Sequence, residues 1–196
     1  MKKMHITVAA IALVTQFGLA KAADNYTVDP NHTYPSFEAP HIAGISMWRG
    51  KFTKTSGKVM LDRQAKSGSV DITVDATSVD SGNAKLDEHL KGDKFFEAAM
   101  YPTITFKSSK VKFSGDAPSE VDGTLTLHGV SKPVTLTVKS FKCVPHPMLK
   151  VELCGADVYT EINRADFGMK YGVEMVGSPT VKLSIQVEAL KEGPKS

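Results

Sequence analysis

The sequence predicts an all-β protein, an antiparallel β-barrel of about eight strands with a short helix across one end. Three observations carry that expectation. Several stretches alternate apolar and polar residues with a period of two, as an antiparallel sheet with one face in water does. In two places the alternation slips by one residue; a bulge restores such a register while adding twist and curl, and curl leads toward closure. One long connection has helical spacing instead, and it is too long for a simple turn between neighbouring strands.

At the start of the chain, Met1 to Ala22 opens on Lys2 and Lys3, continues with "ITVAAIALVTQFGLA" and closes on Ala20-Lys21-Ala22, a small-x-small pattern. That layout is an export signal. Residues 1–22 are expected to be cleaved, leaving residues 23–196 as a single domain that begins near Ala23. A retained N-terminal anchor is the alternative. The apolar run falls short of the roughly 20 residues that cross a bilayer comfortably, and no later stretch approaches that length, so stable membrane insertion is not expected. Loss of Lys2, Lys3 and Lys21 turns 24 basic and 21 acidic side chains into 21 of each. The sequence pI of about 8.7 therefore belongs to the precursor, and the basic stripe that nucleic-acid binding needs is missing.

Along the mature chain, "SVDITVDA" places Val70, Ile72, Val74 and Ala76 on one face. "NAKLDEHLKG" then reads as a helix, with Asn83 as N-cap, good helix formers through Lys91 and Gly92 as the stop. Leu86, His89 and Leu90 share one side of it, and Phe95 and Phe96 follow where the chain turns back toward the sheet. Those two rings either line an apolar cavity or plug it, and the residues leave both open. Ile104 and Phe106 are out of phase with Val111 and Phe113, which calls for a bulge near Ser108. "VDGTLTLHG" and "PVTLTV" present Val121, Gly123, Leu125, Leu127, Val134, Leu136 and Val138 to one side across a Gly129 to Pro133 turn. Val151 and Leu153 are out of phase with Ala156, Val158 and Ile162, which calls for a second bulge near Gly155. "VKLSIQVEA" closes the pattern with Val181, Leu183, Ile185 and Val187 facing inward.

Cys143 and Cys154 are the only cysteines and sit symmetrically about a Pro-rich turn in "KCVPHPMLKVELCG". In an oxidising compartment such a pair closes as a disulfide, which contributes on the order of 3 kcal/mol for a loop of this size in the chain-entropy model. The rival reading makes Cys143, His146 and Cys154 metal ligands, without an evident fourth.

The segment from Leu86 to Phe106 carries D-x-H-L, then F-F, then Y-P-x-x-x-F. With "DPNHT" at 29–33, "RGKF" at 49–52, "LTLHGVSKPVTL" at 125–136 and "RADFGMKYG" at 164–172, it resembles the YceI-like family of exported bacterial lipid-binding proteins. The matches come in order across nearly the whole mature chain. The resemblance implies a lipocalin-like barrel in the periplasm whose interior holds a long isoprenoid chain, a polyprenyl quinone or related amphiphile. Three features depart from the family pattern. Lys94 stands where an Asp usually precedes the phenylalanine pair, Pro35 and Pro40 interrupt the first strand, and the cysteine pair is not general. The prolines predict a rearranged mouth near Phe37 to Ile42.

An isoprenoid chain offers no charge and few hydrogen-bonding groups, so its site should be apolar and concave. Strand parity and motif position assign it to Phe37, Ile42, Trp48, Phe52, Phe95, Phe96, Ile104, Phe106, Leu125, Leu127, Phe167, Tyr171 and Ile185. Catalysis finds little support, because G-x-S-x-G, H-E-x-x-H, G-x-G-x-x-G and phosphate-loop motifs are missing. His89, beside Asp87 and Glu88, has no accompanying nucleophile. His32 and His41 lack a third ligand nearby. The expectation is a binding protein for an isoprenoid or other long-chain lipid, without cofactor or metal, its state open between monomer and homodimer. A hydrolase or isomerase acting on such a lipid, and a filled barrel that binds a partner, are the alternatives.

Overall fold

A computed structural model describes residues 23–193; the expected export signal lies outside them. Eleven strands form the sheet: β1 (Asp24–Val28), β2 (Tyr34–His41), β3 (Ser46–Phe52), β4 (Thr55–Asp62), β5 (Ser67–Asp75), β6 (Val79–Asp80), β7 (Thr103–Ser114), β8 (Ala117–Leu127), β9 (Val130–Pro145), β10 (Glu152–Asn163) and β11 (Thr180–Lys191). Eight of them close antiparallel into a ring, β1-β4-β5-β7-β8-β9-β10-β11, and β11 returns to β1. The other three extend one end of the wall in the order β11-β2-β3-β6. There the sheet stops at β6, and the helix α1 (Ala84–Lys91) packs beside it.

Strands β1 and β2 run end to end along β11, separated by "DPNHT", and side chains make that break. The Asp29 N–H donates to the Glu188 carbonyl at 2.8 Å. The buried Thr33 hydroxyl donates to the same carbonyl at 3.2 Å and accepts from the Glu188 N–H at 3.1 Å. A hydroxyl thus stands in for a backbone pair, so β11 keeps its partners while the first strand bends. The Asp29 carboxylate accepts from the Asn31 N–H and lies 2.8 Å from His32 Nδ1, which gives this histidine a local structural role. A second break, between β3 and β4, is held the same way: Ser78 Oγ accepts from the Lys54 N–H and donates to the Asp75 carbonyl.

The two prolines do not interrupt β2, contrary to the sequence expectation. Pro35 lies opposite Ile185 before the β2–β3 ladder begins, and Pro40 lies opposite Met47 after the β2–β11 ladder has ended. Each therefore has a ladder partner on one side only, where a missing N–H is tolerated.

The expected bulge near Ser108 is present, since Ser108 pairs with Gly123 and Lys110 with Asp122, leaving Ser109 extra. The one expected near Gly155 lies elsewhere. β10 runs unbroken along β11 from Leu153 to Asn163, and the extra residue is Lys139 on β9, between the pairs Asp157–Ser140 and Val158–Val138. Inward parity on β10 is carried by buried Cys154, then Ala156, Val158 and Ile162. Counting Cys154 as an apolar residue, instead of only as a cross-link, removes the apparent slip.

Two glycines let aromatic rings lie flat on the wall. A Cβ on Gly50 would stand 2.5 Å from Phe37 Cζ, and one on Gly123 would stand 2.4 Å from Phe106 Cζ. Both distances are far inside contact, so "RGKF" and "VDGTLTL" carry glycine under a ring.

Candidate functional site: an apolar cavity with one locked end

Inward side chains of the strands enclose a cavity of about 560 Å³. Its floor lies at β1 and at the hairpin joining β9 to β10. Tyr26 is 1 % exposed there, packed with Leu61, Cys154 and Ala189. Its hydroxyl donates to Glu152 Oε1 at 2.6 Å, and the Arg63 guanidinium bonds the same oxygen at 2.7 Å. Burial, and then the Glu152 hydrogen bond, push the Tyr26 phenol well above its ordinary value. Burial alone would raise the Glu152 carboxyl, but the bonds from Tyr26 and Arg63 outweigh it and hold the group below the usual range. Lys191 and Asp24 add an ion pair at 2.7 Å. Cys143 and Cys154 face each other across the β9–β10 ladder with Cα atoms 4.0 Å apart and form a disulfide, so neither is a free metal ligand.

The opposite end is built from turns and helices. Asn83 caps α1, its side chain accepting from the Lys85 and Leu86 N–H groups, and Gly92 ends it. Leu86, His89 and Leu90 share one side of it, as the spacing predicted, and that side faces the cavity. After α1 the chain folds back on itself, with the Phe96 N–H donating to the Leu90 carbonyl. Phe96 inserts between Phe37 and Phe52, at centroid distances of 6.1 and 5.3 Å. Phe95 meets His89 at 5.0 Å and Tyr171 at 5.7 Å. His128, in the β8–β9 turn, lies 3.1 Å from the Phe167 carbonyl and 3.3 Å from Glu97, and its ring packs on Tyr101. The F-F, L-H-G and R-A-D-F-G motifs, distant in sequence, thus meet in one end plate.

Of the thirteen residues assigned to the site, Phe37, Trp48, Phe52, Phe95, Phe96, Ile104, Phe106, Leu125, Leu127, Tyr171 and Ile185 lie on the cavity wall. Two do not. Ile42 sits on the 3-10 turn Ile42–Gly44 and is 45 % exposed on the outer rim. Phe167 sits on the 3-10 turn Arg164–Phe167 and is buried behind the wall. Both stand on turns, where the chain is not extended and neither strand parity nor motif position fixes which way a side chain points. Several wall residues escaped the sequence reading, among them Tyr26, Thr55 and Arg164. Thr55 is buried with no hydrogen-bond partner for its hydroxyl among the described residues. Arg164 is 8 % exposed, and its guanidinium donates to the Met169 and Tyr171 carbonyls at 2.7 and 2.8 Å. Burial lowers its pKa. The position was visible in the R-A-D-F-G motif, but nothing in the sequence indicates that a charged side chain turns inward there.

A closed eight-stranded barrel with an apolar interior, locked at one end and capped by aromatic rings at the other, has the architecture of barrels that enclose one small ligand. Residues 26–189 match the YceI-like domain, and the chain belongs to that family. It is 34% identical to the UPF0312 protein of Vibrio parahaemolyticus serotype O3:K6 over 194 residues, covering 97% of this chain and 99% of that one. Among solved structures, BcnA of Burkholderia cenocepacia superposes with a TM-score of 0.67 at 25% identity, over 82% of this chain and 98% of that one. A polyisoprenoid binding domain from Saccharophagus degradans does so with a TM-score of 0.62 at 19% identity, over 85% and 98% respectively.

Proposed function

We propose that the protein holds a long-chain isoprenoid lipid, a polyprenyl quinone or related amphiphile, in its barrel and carries it through the periplasm. The observation that carries this reading is the cavity itself, of ligand size and walled almost wholly by apolar and aromatic side chains. Each isoprene unit removed from water takes with it roughly 100 Å² of apolar surface, worth about 2 to 3 kcal/mol before ordering costs. A few units therefore give tight binding without any polar contact. The name of the Saccharophagus degradans domain supports the lipid class. The disulfide fits an oxidising compartment, and no described helix is long and apolar enough to cross a membrane. The neighbours of His89 are the rings of Phe95 and Tyr171, a packing environment, which favours binding over catalysis.

Mass spectrometry of organic extracts from the protein purified out of the export compartment is the direct test. Co-purification of a prenyl lipid in near-stoichiometric amount is expected. Extracts free of lipid, from a folded protein that also takes up no added prenyl compound, reject the reading.

A further inference from the structure

The ionisable side chains on the cavity wall are Tyr26, His41, Arg49, His89, Arg164 and Tyr171. None is a carboxylate, although Asp and Glu supply 21 of the 196 residues. Arg49 is answered by Glu38, 3.1 Å away. Arg164 is not: its two hydrogen bonds go to neutral carbonyls, and among the described residues no carboxylate stands within ion-pair distance. A guanidinium has five N–H donors, so this one keeps both donors and charge to spare inside an apolar enclosure, where an unpaired charge is costly. Lys94 lies close by. It is exposed, with Nζ 4.7 Å above the Tyr171 ring, and it too has no carboxylate in range among the described residues. Arg164 in turn lies 5.9 Å from the centre of the Phe95 ring. Phe95 and Tyr171 are 5.7 Å apart, and His89 packs edge to face against both. Aromatic faces hold cations in place without neutralising them.

We propose that Arg164, Lys94 and His89 form an oxyanion site at the mouth, so that the lipid in the barrel ends in a phosphate or carboxylate headgroup beside Phe95 and Tyr171, with its chain directed toward Tyr26. This rests on the reading above that the barrel holds a long prenyl chain, and within that reading it selects an acidic head over the neutral quinone. Charge-assisted bonds to an oxyanion are the interactions these donors still lack, and a neutral alcohol of the same chain length supplies no countercharge.

The test compares geranylgeranyl monophosphate, geranylgeranoic acid and geranylgeraniol binding to the protein, read from the emission of Trp48, the single tryptophan, which lies on the cavity wall. Both acids are expected to bind roughly tenfold or more tightly than the alcohol. Arg164→Gln and Lys94→Gln should each shrink that ratio. Where Arg164→Gln fails to fold, because Arg164 also ties down the Met169 and Tyr171 carbonyls, the exposed Lys94→Gln gives the same readout. Inorganic phosphate, which has no chain, should not compete; displacement of the alcohol by phosphate alone overturns the site as a lipid-head site. Equal affinity for all three prenyl compounds overturns the headgroup proposal and leaves the lipid reading standing. Binding of none of them removes both.

Discussion

At Gly123 the backbone passes directly beneath the Phe106 ring, and the space there is smaller than one methyl group. Gly123→Ala should therefore force the ring off the wall and destabilise the protein by about 1–3 kcal/mol, measured as a drop in the denaturant midpoint at unchanged slope. A second residue-scale prediction concerns Glu152. Its carboxyl is held below its ordinary value in the fold, so its contribution is present above the unfolded carboxylate range near pH 4 and is lost as the pH falls through the folded value. Glu152→Gln should cost on the order of 1–2 kcal/mol at pH 7 through the weakened bonds to Tyr26 and Arg63. It should also flatten the acid limb of the stability curve, followed by chemical denaturation between pH 7 and pH 3. An acid limb as steep as in the unaltered protein would show that other carboxylates dominate it.

At the scale of elements, the caps and the regular strands were legible because their signals are local. The inward faces of β5, β8 and β11 follow from alternation, and α1 follows from Asn83, Gly92 and helical spacing. The break between β1 and β2 was not legible, because it depends on Thr33 bonding Glu188, 155 residues away. Ile42 and Phe167 fall off the wall because they stand on 3-10 turns, where a period of two has no meaning and membership of a motif does not fix a side chain's direction. The connection carrying α1 gives the clearest element-scale test. Phe96→Ala removes a ring wedged between Phe37 and Phe52 and should cost about 3 kcal/mol; Phe95→Ala, at the outer layer beside His89 and Tyr171, should cost less. If the connection closes one end of a ligand site, both variants, once shown to be folded, should release bound prenyl lipid faster in a stopped-flow transfer assay. Stability loss with unchanged release would make the two rings packing alone.

For the molecule as a whole, the two ends of the barrel differ in how their perimeter is held. At the floor every strand of the ring has two neighbours, and a disulfide across β9 and β10 and an ion pair across β1 and β11 add to the ladders. At the mouth, β6 pairs with β3 over only two residues, and no ladder joins it to β7. Amides of β6 and α1 should accordingly exchange with deuterium well before those of β9 and β10, and uniform protection around the ring would contradict this. The mouth is thus a hoop with a slit. Its girth is set by side chains, which yield one at a time, whereas the girth of the floor is set by a continuous ladder that yields all together. β6 and α1, joined through residues 81–83 and by two hydrogen bonds from Ser81 to the Asp87 carboxylate, move as one free edge, so any widening of the rim falls between that edge and β7, while the bore of the other end stays fixed.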